Sequence, residues 1–212
     1  MIKSILLILL LVSTTFCDMI SNGIAINEHT LITTSHGVYG TDSGKTIVNG
    51  NPVPLSLVVQ SKLDKKMIDL AIVTVPDSIT LNACPISPLF VEHGDNVELY
   101  ATLYNGNGFS PYTVHGDIND YDDKMPLDYV YSIKVQGREG LSGGPMIYNG
   151  NIIGMTIKFR SDTSITYTYT YDILTNYLEQ ADIHPNPNTH DIKKCVYPII
   201  GYTQSKHIEY KD

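Results

Sequence analysis

Short runs of apolar and β-branched residues recur along the chain, separated by glycine, asparagine and proline. Runs of this length and composition are typical of β-strands, and their number favours an all-β protein. The predicted strands cover residues 23–26, 31–34, 55–59, 68–75, 96–100, 112–114, 129–135 and 152–159, followed by a threonine–tyrosine alternation from 166 to 171. Residues 77–91 are rich in turn-forming residues, so we expect a linker between two groups of strands.

One segment, residues 171–181, has the period of a helix. Ile173, Leu174, Tyr177 and Leu178 would share one face of it, and Asp172 is a plausible N-cap. We expect this helix to pack against the second group of strands. The polar, proline-containing residues 182–212 are predicted to form a partly extended tail.

The first 17 residues have the pattern of a secretory signal peptide. Lys3 precedes an apolar run over residues 5–12, and small residues lead to Cys17, after which we expect cleavage. The alternative is a membrane anchor, but the run is shorter than the roughly 20 residues that span a bilayer. We therefore expect a secreted protein that makes no membrane contact after cleavage.

Composition and charge narrow the possible partners. The chain has 212 residues, 42% of them hydrophobic, and a formal net charge of −8. It has no extended basic run, so nucleic acid is not an expected partner, and we expect a monomer. The acidic segment 117–123 breaks the calcium-loop pattern, and His184, His190 and Cys195 lack a zinc spacing. We predict no metal and no cofactor.

Two cysteines remain once the signal segment is removed, Cys84 and Cys195. A pair of cysteines in a secreted chain suggests one disulfide, which would join the linker to the C-terminal tail. Two free, buried thiols are the alternative.

The strongest chemical candidate is Ser142, which lies in the glycine-rich stretch 140–145 before an apolar hairpin pattern. Glycines around a serine allow backbone N–H groups to approach a bound atom, as an oxyanion hole requires. A simple glycine-rich turn is the alternative. A serine nucleophile also needs a base and a group that orients the base.

His36 and Asp69 are the best candidates for those two roles. His36 follows the predicted strand 31–34, at a place where a cleft could form, although it could also be a surface histidine. Asp69 interrupts an otherwise apolar strand, where an unpaired carboxylate would cost several kcal/mol, so it lies either at an edge or beside a partner. An imidazole N–H is a natural partner for it. Asp64 lies among lysines and is a weaker candidate.

The order His36, Asp69, Ser142 is one of the known orders of a catalytic triad. Residues 33–36, 69–71 and 140–145 resemble the histidine, aspartate and serine motifs of trypsin-like (chymotrypsin-fold) serine peptidases. The resemblance covers about residues 21–181, and the compact spacing is most similar to the glutamyl-endopeptidase and HtrA-like branches.

This resemblance implies two six-stranded antiparallel β-barrels and a short C-terminal helix. Residues 18–80 would form the first barrel, 81–91 the linker and 92–181 the second barrel, with a catalytic cleft between them. The implied function is a secreted endopeptidase that acts on proteins or peptides, with Ser142 as nucleophile, His36 as base and Asp69 as its orienting acid.

The resemblance also implies further site residues. The N–H groups of Gly140 and Ser142 would bind the oxyanion, and the implied substrate-binding residues are Gln136, Thr156 and Ile157. Gln136 stands near the position where trypsins carry an aspartate, so a preference for Lys or Arg is not expected.

Leu141 replaces the aspartate that pairs with a new N-terminus in digestive members, so we expect an apolar contact there instead. The main competing function is a non-catalytic binding module on the same fold. An esterase is disfavoured because a strand–turn–strand pattern follows Ser142, whereas esterases place a helix after the nucleophile.

Overall fold

The computed structural model describes residues 17–38, 44–63, 66–119 and 130–203. The predicted signal segment up to residue 16 and the weaker candidate Asp64 lie outside the described residues, as does most of the acidic segment 117–123. No helix within the described ranges has the length and hydropathy needed to cross a membrane.

The first unit is a seven-stranded antiparallel sheet in the order β4-β3-β13-β1-β2-β6-β5. Its strands are β1 (Cys17–Ala25), β2 (Thr30–Thr33), β3 (Lys45–Val48), β4 (Asn51–Pro54), β5 (Ser56–Leu63), β6 (Lys66–Thr74) and β13 (Val196–Thr203). The second unit is a closed antiparallel barrel in the order β10-β11-β12-β9-β8-β7. Its strands are β7 (Asn96–Tyr104), β8 (Phe109–Asn119), β9 (Val130–Lys134), β10 (Pro145–Tyr148), β11 (Asn151–Arg160) and β12 (Ile165–Thr170).

The all-β class and the two units are therefore confirmed. The second unit has the expected six strands, and the first has seven because the chain returns to it. Part of the predicted tail, Val196–Thr203, forms β13 between β1 and β3. The sequence analysis did not predict this strand because it contains Pro198. Proline has no N–H for the hydrogen bonds between strands and is rare in central strands. Here Thr46 donates a side-chain hydrogen bond to the carbonyl of Pro198 at 2.8 Å.

Strand β6 is buried on both faces, because successive side chains point to opposite sides of a sheet. Ala71 and Val73 pack within the first unit. Ile68, Leu70 and Ile72 belong to an interface core, the cluster of buried residues that the two units share. This core also contains Ile152, Met155 and Ile157 of β11, Tyr167 and Tyr169 of β12 and the disulfide cysteines.

The helix α1 (Tyr171–Gln180) seals the interface core. Its buried residues are the four that were predicted: Ile173, Leu174, Tyr177 and Leu178. The predicted cap was wrong. Thr170 occupies the N-cap position without a side-chain bond, and Asp172 lies in the first turn.

Cys84 and Cys195 form a disulfide, as the sequence suggested. It joins the linker to the turn that precedes β13, and both cysteines are buried in the interface core. The bond closes a long loop, since the two cysteines are 111 residues apart. Cys195 is consequently not available as a zinc ligand.

Loss of the disulfide is expected to lower the free energy of unfolding by about 4 kcal/mol, because an open loop of this length gains conformational entropy when unfolded. Guanidinium unfolding of the oxidised protein, with and without a reductant, measures this. The double variant Cys84→Ala/Cys195→Ala is the control and should not respond to the reductant. Equal unfolding midpoints for oxidised and reduced wild type would contradict the prediction.

Candidate active site

His36 follows the end of β2, in a turn closed by Gly37 N–H donating to the carbonyl of Thr34 at 3.2 Å. Strands β2 and β6 pair from Thr30 opposite Thr74 to Thr33 opposite Ala71. If this antiparallel register is extended by two residues, position 69 faces position 35, next to His36. The pairing of these two strands therefore explains why residues distant in sequence meet.

The carboxylate of Asp69 contacts His36 through both of its oxygens. Oδ2 lies 2.6 Å from the ring Nδ1, and Oδ1 accepts the backbone N–H of His36 at 2.9 Å. A carboxylate only accepts, so Nδ1 carries the proton and Nε2 is left as an acceptor. The side chain of His36 is 42% exposed, which leaves its other edge accessible.

Two tyrosines from the second half of the chain fix the strand at Asp69. The backbone N–H of Asp69 donates to the hydroxyl of Tyr169 at 3.0 Å, and the hydroxyl of Tyr177 donates to the carbonyl of Leu70, also at 3.0 Å. Burial, together with the nearby Asp69 carboxylate and against the hydrogen bond from the Asp69 backbone, raises the pKa of Tyr169 to about 12. Tyr169 is therefore a neutral hydroxyl at physiological pH. The sequence analysis did not identify this residue.

Ser142 lies in a loop between Gly140 at φ +88° and Gly143 at φ +79°. Both backbones are in the left-handed region, where glycine is favoured. Gly143 is also restricted by space, since a Cβ there would collide with the carbonyl oxygen of Asn22. Leu141, 2% exposed, packs with Ala101 and Leu103, which is the apolar contact expected at this position.

Three consecutive carbonyls of this loop accept hydrogen bonds. That of Gly140 accepts the side-chain amide of Asn22 at 2.6 Å, and that of Leu141 accepts Gly144 N–H at 3.0 Å. The carbonyl of Ser142 accepts the backbone N–H of Asn22 at 2.7 Å. Within the described residues, the N–H groups of Gly140 and Ser142 have no acceptor. These are the two donors expected for an oxyanion.

The hydroxyl of Ser142 donates to the carbonyl of Ile157 at 2.8 Å. The described residues include no hydrogen bond between Ser142 and His36. Both residues nevertheless line one cleft of about 610 Å³. The hydroxyl would therefore have to leave the carbonyl of Ile157 before it could donate to the imidazole.

The cleft lies between the two units. The other residues that line it are Ile20 from β1, Leu103 and Tyr104 from β7, Arg138, Glu139 and Gly140 from the loop that carries Ser142, and Lys158 and Phe159 from β11. Arg138 lies 5.2 Å from the ring centre of Tyr112, and Lys158 lies 5.9 Å from that of Tyr167. Cation–π contacts of this kind restrict both cations at the cleft wall.

The three predicted substrate-binding residues are not among those that line this cleft. Thr156 is buried, and its backbone bonds to Gly143 and Gly144 at 2.7 and 2.8 Å, so it supports the loop that carries Ser142. Ile157 is buried and offers its carbonyl to Ser142, and Gln136 is exposed. Lys158 and Phe159, one and two residues further along β11, line the cleft instead.

The described residues contain no cluster of three or more His, Cys, Asp or Glu side chains suited to a metal.

The raised pKa of Tyr169 predicts a fall in stability at alkaline pH. Below pH 10 the tyrosine is protonated in both states, but above it the unfolded chain ionises first. The free energy of unfolding should therefore fall by about 3 kcal/mol in total through this residue as the pH rises from below 10 to above 12. Urea unfolding of wild type and Tyr169→Phe across this range measures the difference. Parallel pH dependences of the two proteins would contradict the prediction.

No protein-family model matches this chain, and no curated protein does. Solved structures do match it. The active form of the Rv3671c protease from M. tuberculosis has a TM-score of 0.63 and 21% identity, covering 80% of this chain and 76% of that chain. For the inactive form of the Rv3671c protease the TM-score is 0.61 at 19% identity, with 77% and 87% covered.

The MamO protease domain from Magnetospirillum magneticum, in its apo form, is also similar, with a TM-score of 0.58, 17% identity and coverage of 76% of this chain and 94% of that chain. Similarity at these identities shows the fold. The chain has the two-unit, chymotrypsin-like fold that these protease structures share.

Proposed function

We propose that this protein is a secreted serine endopeptidase that hydrolyses peptide bonds through an acyl-enzyme. The observation that carries the proposal is the contact of Asp69 with both the ring and the backbone of His36, in the cleft that Ser142 also lines. A carboxylate that contacts a histidine at 2.6 Å keeps the second ring nitrogen ready to accept a proton.

The proposed reaction begins with a turn of the Ser142 hydroxyl from the Ile157 carbonyl to Nε2 of His36. Oγ then attacks the peptide carbonyl carbon while His36 takes the hydroxyl proton. The carbonyl oxygen, now negative, is bound by the N–H groups of Gly140 and Ser142. The C–N bond breaks as His36 returns the proton to the leaving amine, and water repeats the sequence on the acyl-enzyme.

Asp69 has two functions in this proposal. Its carboxylate holds the tautomer that can accept the Ser142 proton, and its charge stabilises the imidazolium that forms. A peptide substrate would lie in the cleft along β11. We propose that it contacts Lys158 and Phe159, which line the cleft, while the buried Thr156 and Ile157 support the Ser142 loop from behind.

The second candidate, a non-catalytic binding module, is favoured by one observation. The Ser142 hydroxyl is bonded to the Ile157 carbonyl and not to the base. A protein that used the cleft only to bind peptides would not need to break this bond. The two functions differ in one measurable respect, because only the peptidase requires a reactive Ser142.

Reaction with an organophosphonate should modify Ser142 in the wild type, and the variant Ser142→Ala should lose both labelling and peptide hydrolysis. Intact mass and peptide mapping locate the label. Ser87→Ala, which alters a serine outside the cleft, is the control and should keep wild-type turnover. An unlabelled, folded wild type would favour the binding module, and near-normal turnover by Ser142→Ala would exclude Ser142 as nucleophile.

Asp69→Asn should lower kcat/KM by roughly four orders of magnitude while the fold is kept, because an amide favours the wrong tautomer of His36. Asp77→Asn makes the same change at an exposed position and should have no effect. Steady-state kinetics on a peptide amide, with circular dichroism of each variant, provides the comparison. A similar loss in both variants, or in neither, would contradict the assignment of the acid.

A further inference from the structure

Asn22 lies within β1 of the first unit, is completely buried, and bonds to the nucleophile loop that precedes β10 of the barrel. Its side-chain Nδ2 donates to the carbonyl of Gly140 at 2.6 Å, and its backbone N–H donates to the carbonyl of Ser142 at 2.7 Å. We propose that Asn22 is a positioning residue that holds this loop so that the N–H groups of Gly140 and Ser142 stay free for an oxyanion. The inference rests on the proposed function.

The orientation of the Asn22 amide is determined by its surroundings. Its Oδ1 accepts the backbone N–H of Thr102 at 2.8 Å, and an N–H can only donate. Nδ2 must therefore face the carbonyl of Gly140. The backbone carbonyl of Asn22 is held as well, since the hydroxyl of Thr33 donates to it at 2.5 Å. A residue at this position needs an acceptor and a donor on one short side chain, and asparagine provides both.

Gly140 needs such an external constraint. Glycine populates positive and negative φ about equally, so its own preference does not fix the observed φ of +88°. Rotation at Gly140 would turn its N–H away from the oxyanion position. The bond from Asn22 to the Gly140 carbonyl opposes this rotation and also spans the two units.

Position 141 carries no charged side chain that could hold the loop in place of these hydrogen bonds. Leu141 is buried among apolar side chains, whereas the resemblance to digestive peptidases would place an aspartate there. Asn22 is paired with Pro198 of β13, which has no N–H to donate to the Asn22 carbonyl, and the hydroxyl of Thr33 donates to that carbonyl instead. The N–H of Asn22 donates to the carbonyl of Ser142. The loop is thus held by neutral hydrogen bonds.

The variant Asn22→Asp removes the donor at any pH at which its carboxyl group is ionised, while it keeps the size of the side chain and the acceptor for Thr102. Removal of an oxyanion donor lowers kcat by about 10²–10³-fold, and we expect a loss of this size with KM changed by less than about twofold. Asn188→Asp is the control for the hydrogen-bond pattern, at an exposed position. Asn188 also accepts from a backbone N–H, that of Ala83 at 2.9 Å, and donates to the Leu81 carbonyl at 3.1 Å, outside the cleft. It should keep the wild-type kcat.

The pH dependence separates positioning from a general loss of structure. A protonated carboxyl group at position 22 can donate to Gly140, and burial raises the pKa of such a group. The ratio of kcat for Asn22→Asp to that of wild type should therefore rise as the pH falls. Wild-type kcat for Asn22→Asp, or a ratio that does not change with pH, would overturn the proposal. If this variant does not fold, Asn22→Ala replaces it in the kinetic comparison, and an unchanged kcat would overturn the proposal.

A measurement without substrate distinguishes failure of this inference from failure of the proposed function. In isotope-labelled wild type, NMR should detect a scalar coupling from Asn22 Nδ2 to the carbonyl carbon of Gly140. The amide resonance of Gly140 should shift in Asn22→Asp and not in Asn188→Asp. If Ser142 proves unreactive but this coupling is present, the proposed function fails while Asn22 still orders the loop. If the coupling is absent and the Gly140 resonance unchanged, the positioning role is overturned.

Discussion

The candidate site depends on a rigid association of the two units, because the sheet and the barrel each contribute only some of its residues. The sheet contributes His36 and Asp69, and the loop before β10 of the barrel contributes Ser142. The interface core and α1 bury apolar side chains from both units, and each fully buried side chain of this size contributes roughly 1.5–3 kcal/mol. Directional hydrogen bonds then set the alignment within this core. Tyr169 and Tyr177 bond to β6 beside Asp69, and Asn22 bonds to the nucleophile loop.

The last strand of the chain returns to the first unit, and this return further restricts movement between the two units. Strand β13 pairs with β1 over eight residues from Cys17 to Ile24, so the strand that carries Asn22 lies inside the sheet and not at its edge. The disulfide joins the linker to the turn before β13, which limits movement between the units. Residues far from the cleft in sequence thus determine the position of the groups within it.

The sequence patterns predicted the structural features that depend on residues close together in the chain. Alternation located most strands, helical spacing identified the buried face of α1, and glycine spacing marked the loop at Ser142. An aspartate within an apolar strand indicated a partner for its carboxylate, and His36 does contact it. The patterns failed where a residue acts through tertiary contacts. Nothing in the sequence around Asn22 or Tyr169 distinguishes them from ordinary strand residues. Proline concealed β13, and a shift of one or two residues along β11 separates Ile157 from the cleft residues Lys158 and Phe159.

The central claim is that Ser142 is a nucleophile and that His36 is its base. A crystal structure with a bound peptide boronic acid would test this claim most directly. Boron accepts a serine oxygen and mimics the tetrahedral intermediate. The account predicts a bond from Oγ of Ser142 to boron, release of the Ile157 carbonyl, and one boronate oxygen within hydrogen-bond distance of the N–H groups of Gly140 and Ser142. A bound peptide with Ser142 still bonded to Ile157 and no covalent link would contradict it.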